Sequence, residues 1–196
     1  SLKNTGDDDE FVLSGSGKYE ILELPKPGCL YRCGTDPIPF NTEQEVKHGE
    51  SKRSRLAFWI KNSTTGVYVL RYWHRSHDVR ETTMDLIRAQ LKYNGAKNMV
   101  ERNAGGALLS EYKNLGYYHL VANEPFSFRS STTGIPNKGY HKHINNLSKL
   151  YAGFTSYIKD KTDLIFFQQM LICAEMYGSG DNDDDLNAII ACEVYD

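Results

Sequence analysis

The spacing of apolar and polar positions divides this chain into short strands, a few helices and long polar connections. Residues 1–17 lack apolar periodicity and end in Ser14-Gly15-Ser16-Gly17, so they read as a flexible acidic lead. Tyr19 to Leu24 alternates as a half-buried strand does, and Pro25 and Pro27 stop it. Cys29-Leu30-Tyr31-Arg32 predicts a second short strand, followed by a loop from Gly34 to Pro39. The clearest local signal is a hairpin. Arg55 to Ile60 and Val67 to Trp73 flank the polar turn Asn62-Ser63-Thr64-Thr65-Gly66.

Glu81 to Asn94 predicts a helix, with Met84, Ile87 and Leu91 on one face and Gly95 as its stop. Lys97 to Asn103 predicts a weaker helical piece, and Leu108 to Val121 fits neither period. Asn123 to Gly139 reads as a long polar loop. Leu147 to Tyr157 is compatible with a helix, and Thr162-Asp163 would cap another running to about Tyr177. Leu186 to Val194 is apolar and rich in Ile, which predicts a closing strand. Strands and helices are mixed without strict alternation. The expectation is one α+β domain over residues 18–196, with antiparallel sheet portions around a central hairpin at about 55–73 and flanking helices.

Length and composition agree with that reading. At 196 residues the chain suits one domain with a proper core. Hydrophobic residues make 40% and charged residues 24%, which excludes disorder throughout. No stretch approaches the roughly 18 consecutive apolar residues of a membrane span, and the N-terminus has no apolar segment of the signal-peptide kind. Cys29, Cys33, Cys173 and Cys192 are too few for a disulfide scaffold. Free thiols and an intracellular, cytoplasmic location are expected.

Charge adds a polarity that the net value of −2 conceals. Between Lys47 and Arg80 there are eight Lys or Arg against two acids, while the last twenty residues hold five Asp and one Glu with no basic residue. The basic block either serves a polyanion or pairs with the acidic ends, and a site is expected where the two halves meet.

Four groups of residues carry candidate chemistry. The first centres on Arg32, on an early strand just before a Gly turn, where a guanidinium can hold a phosphate or carboxylate bidentately. Leu30-Tyr31-Arg32 resembles the opening strand of the arginine–serine–glutamate class of ADP-ribosyltransferases, found among bacterial toxins and effectors. Phe154-Thr155-Ser156 and Phe128-Arg129-Ser130-Ser131-Thr132 are similar to its middle serine motif, and Glu193 to its late catalytic acid. The resemblance implies NAD as substrate, held by Tyr31, Arg32 and Ser130, and a protein acceptor. Arg32, Ser156 and Glu193 would be catalytic, with Glu193 stabilising the oxocarbenium ion. Ala191 stands where the family often has a second Glu or Gln, which turns the expectation toward other acceptors or NAD hydrolysis.

The second group is a basic–aromatic face, in which Lys52, Arg53, Arg55, Trp59, Arg71, Trp73 and Arg75 interleave cations with rings on the hairpin. That mixture suits RNA or a protein partner without catalysis, and it is the alternative function. Third, His74, His77, His141 and His143 have spacings that could close a zinc site. Each pair, however, adjoins Arg or Lys, so no metal centre is expected. Fourth, Asp181 to Asp185 lacks the Gly and closing Glu of a calcium loop and reads as solvated.

Overall fold

A computed structural model describes residues 2–4, 9–11, 17–39, 55–76, 78–129, 136–177 and 184–195. In chain order the strands are β1 (Leu2–Asn4), β2 (Asp9–Phe11), β3 (Tyr19–Ile21), β4 (Tyr31–Asp36), β5 (Leu56–Asn62), β6 (Tyr68–His74) and β7 (Lys97–Val100). β1 and β2 pair with each other inside the stretch expected to be a lead. The other five form one sheet in the order β3-β6-β5-β4-β7. All its pairs are antiparallel except β4 with β7, so the sheet is mixed, and the expected hairpin, β5–β6, lies inside it.

Helices cover both faces. α1 (Val79–Lys92) and α2 (Gly106–Asn114) supply Leu86, Ile87, Leu108 and Tyr112 to a core that includes Leu56, Phe58 and Ile60. α3 (Leu147–Asp160), α4 (Gln168–Met176) and α5 (Asp184–Glu193) pack on the alternate residues, Ala57 and Trp59. Covered on both sides, β5 is buried at all seven positions. The α+β expectation holds, in a three-layered form. Among the described residues, no helix is long and apolar enough to cross a membrane.

Local chemistry explains the helix ends that matter. Asp78 caps α1 by accepting from the backbone N–H groups of Arg80 and Glu81. Asn94 and Gly95, at φ of +57° and +69°, end it.

Three local expectations are corrected. Residues 97–100 form a strand rather than a helix, because Asn98, Met99 and Val100 are buried beside β4. Residues 184–193 form a helix rather than a strand. Asp185 to Cys192 are buried in one run, and a helix buried on every side shows no amphipathic period. The expected helix over 162–177 is a 3-10 turn at Thr162–Leu164 followed by the shorter α4.

Candidate active site

The site is built where the parallel strands end. Glu101 directly follows β7, and its backbone N–H donates to the Thr35 carbonyl at 3.2 Å, so Glu101 stands level with Asp36. Adjacent strands in register direct matching side chains to the same face. That face is the one α5 covers, because Gly34, two residues before Asp36, lies against Ala188 and Cys192 of α5.

α5 completes the wall. The Asn187 amide donates to Asp36 Oδ2 at 3.1 Å, while its carbonyl oxygen accepts from Lys142 Nζ at 2.8 Å. Asp184, one turn earlier, also acts on Asp36 through its charge, and Arg55 N donates to it at 2.8 Å.

Lys142 is delivered by an irregular segment that runs along the end of β7. Tyr140 N donates to Val100 O at 2.9 Å, and Arg102 N donates to Tyr140 O at 2.8 Å. Gly139, at φ +70°, permits this approach, since a Cβ there would stand 2.3 Å from the Val100 carbonyl oxygen.

The electrostatics are those of two neighbouring acids in a largely buried place. Burial, and then the Glu101 charge beside it, push the Asp36 carboxyl up to about 8. Burial likewise raises Glu101, opposed by the charges of Lys142 and His141 and by a hydrogen bond from Tyr140. Two neighbouring carboxyls in a partly buried place lose this repulsion when a cation sits between them.

Arg32 and Glu193 do meet, in a second and separate cluster. Arg32 Nη2 lies 2.8 Å from Glu193 Oε2, Lys61 Nζ lies 2.6 Å from Oε1, and Tyr68 OH donates to Oε1 at 2.5 Å. Both carboxylate oxygens are thus engaged by the protein itself. The cluster lies four residues down β4 from Asp36, roughly 13 Å along an extended strand. Ser156 does not join it: on the exposed side of α3, its hydroxyl donates to Asp160 at 2.9 Å. Tyr31 points to the opposite face, where its OH accepts from Lys26 N and its ring packs on Tyr93. Ser130 falls outside the described residues.

The basic–aromatic face is largely consumed by internal pairs. Trp59 is buried, with Nε1 donating to Asp185 at 2.8 Å, and Arg71 binds Asp185 and Glu20. Arg55 stacks at 3.8 Å from the centre of the Trp73 ring. Arg75 follows β6, while Lys52, Arg53 and His77 lie outside the described residues.

No protein-family model and no curated protein matches the sequence. Solved structures do resemble the fold. The zinc-bound large terminase nuclease of thermophilic phage G20c superposes with a TM-score of 0.64 at 12% identity, covering 93% of this chain and 91% of its own. The fold is similar to that of a large terminase nuclease. The magnesium-bound form of the G20c protein gives 0.61 at 12% identity, over 92% and 88% of the two chains. The large terminase nuclease domain of Thermus phage P74-26 gives 0.57 at 13%, over 91% and 86%.

These likenesses correct three expectations. The fold is not that of the ADP-ribosyltransferases, so the Tyr-Arg, Ser and Glu resemblance does not carry, and Glu193 lies on a helix rather than a late strand. Structures of the G20c nuclease were solved with zinc, magnesium or cobalt bound, so the expectations of NAD and of no metal, which came with another fold, do not carry. The alternative of a non-catalytic RNA- or protein-binding module at residues 52–75 is not supported either, since the fold is similar to that of nuclease domains and Arg71 of that face is paired internally with Glu20 and Asp185.

Asp36 and Glu101 do not stand out in the sequence, because Gly34 to Pro39 predicts a loop and Lys97 to Asn103 a helical piece. The signal is positional and appears only with the strands in place: Asp36 ends β4, Glu101 follows β7, and ligands of open sheets gather outside the carboxyl ends of parallel strands.

Proposed function

We propose that this chain is a divalent-metal-dependent nuclease that hydrolyses nucleic-acid phosphodiesters at the Asp36–Glu101 pair. The observation that carries this reading is the placement of those two carboxyls side by side at the ends of β4 and β7, within a fold similar to that of large terminase nucleases. Among the described residues no three His, Cys, Asp or Glu side chains form a complete cation cage. The donor set still fits magnesium or manganese. These hard ions take oxygen ligands, and magnesium is commonly held by one or two carboxylates with water and substrate phosphate filling its shell. A bound ion would lower the pKa of a coordinated water and polarise the phosphoryl group.

The protein's own residues do the rest. Asp36 and Glu101 would hold the ion. Asn187 fixes the Asp36 carboxylate with its amide and Lys142 with its carbonyl oxygen. The Lys142 ammonium would then face a phosphate oxygen as negative charge builds there. By analogy with its structural neighbours we read the chain as a phage-type nuclease. Its free cysteines, three of them buried, favour an intracellular setting.

The test is cleavage of circular and linear DNA, and of RNA, with magnesium or manganese and with chelator. Activity should need the metal and fall at least about a hundredfold in Asp36→Asn and in Glu101→Gln, the scale of losing one electrostatic catalytic contact. Metal-stimulated cleavage that persists in Asp36→Asn would remove the assignment.

A further inference from the structure

Beside the carboxyl pair lies a cleft of about 520 Å³, lined in part by Arg102, Glu124, Phe128, His141, His143 and Lys149. It adjoins the catalytic wall by construction. Arg102 follows Glu101, and His141 and His143 flank Lys142, so one short segment serves both places.

The lining is tuned for an anion beside a ring. Glu124, the only acid among these six, is neutralised by Arg102. Lys149 is exposed, and its Nζ is steadied by the Ser127 carbonyl at 3.1 Å. His143 is set by its neighbours: Nδ1 accepts from Asn145 N at 3.2 Å, so the neutral ring carries its proton on Nε2 and donates outward. Asn146 locks the same turn by accepting from His143 N and donating to the His141 carbonyl. Phe128 adds an aromatic surface of the kind on which bases stack whatever their identity. The volume falls within the roughly 300–1,000 Å³ of small-ligand sites, which admits a nucleotide or two but not a double helix.

We propose that this cleft grips an unpaired strand of the substrate next to the scissile phosphodiester. His143 Nε2 and Lys149 meet a phosphate, and a base lies against Phe128. The proposal rests on the nuclease reading and adds a preference for single-stranded segments or overhangs.

Binding of fluorescent oligonucleotides, with calcium replacing magnesium to hold back cleavage, tests it. Asn at position 143 can still accept from Asn145 N, so His143→Asn with Lys149→Gln removes the two donors with the turn intact. Lys149→Gln alone, at an exposed position, guards against misfolding. The double variant should bind single-stranded DNA about tenfold more weakly, with a logarithmic salt slope smaller by about one, and blunt duplex almost unchanged. Undiminished single-strand binding, or an equal loss for blunt duplex, overturns the proposal. If the wild type shows metal-stimulated cleavage while the double variant binds as before, the cleft fails and the nuclease stands. If cleavage never depends on metal but single strands bind through His143 and Lys149, the nuclease reading fails and the cleft stands.

Discussion

Gly34 lies so close to Ala188 that a Cβ at position 34 would stand 2.1 Å from the Ala188 carbonyl oxygen and 2.4 Å from Cys192 N. The contact is backbone against backbone, so neither partner can rotate away. It sets how near α5 sits to β4, and therefore whether Asn187 reaches Asp36.

Gly34→Ala should accordingly force α5 outward. An overpacking cost of about 1–3 kcal/mol is expected in denaturant unfolding, with a larger fractional loss of cleavage than of stability. Gly106→Ala, where a Cβ meets nothing within 4 Å, is the control, and it should be neutral or stabilising by at most about 1 kcal/mol. Equal behaviour of the two variants would show that the α5 contact does not set the site.

Asp36 gives a pH signature in metal-free protein. Its folded pKa, about 8, lies above the ordinary 3.8, so the folded state holds the proton more tightly than the unfolded chain. Its contribution to stability is complete below about pH 4 and is lost as pH rises through about 8. In chelator, Asp36→Asn should flatten that part of the melting-temperature profile and raise the melting temperature at pH 8. A profile identical to wild type would show that the charge is not strained.

A divalent ion should reverse this cost. Magnesium or manganese at a hundred times its Kd should stabilise the wild type by about 2.7 kcal/mol, read as a melting-temperature rise. The rise should vanish in Asp36→Asn and in Glu101→Gln, and should persist in Glu193→Gln if that variant folds.

Glu193 has a structural role that a different variant exposes. Removing its carboxylate in Glu193→Ala leaves Lys61, only 7% exposed, and Arg32 without their shared anion. Breaking a buried ion pair from one side costs about 3–5 kcal/mol. Replacing the three together, as Arg32→Met, Lys61→Met and Glu193→Leu, should recover much of that loss in urea titrations. A loss under about 1 kcal/mol for Glu193→Ala would mean that water replaces the carboxylate.

Legibility followed the local or non-local origin of each signal. The β5–β6 hairpin and α1 were readable because turn, cap and stop lie within a few residues of one another. The stretch of α5 predicts a strand because Ile189 and Ile190 favour strands in isolation. Only the surrounding sheet and helices, which bury the run from Asp185 to Cys192, make it helical. In the sequence, Arg32 and Glu193 come together only through the ADP-ribosyltransferase resemblance, which does not carry; the ion pair that joins them, neutralised by Lys61 and Tyr68, depends on partners from β5 and β6. Asp36 and Glu101 are ordinary acids in the sequence, and their proximity exists only once β7 pairs parallel to β4.

The bond from Asn187 to Asp36 spans 151 residues. A partly folded chain therefore has both carboxyls and lacks the clamp that orients Asp36 and Lys142. Until α5 docks on β4, Asp36 lacks the Asn187 amide, so the proposed activity would depend on a contact that only the two distant parts of the chain together can make.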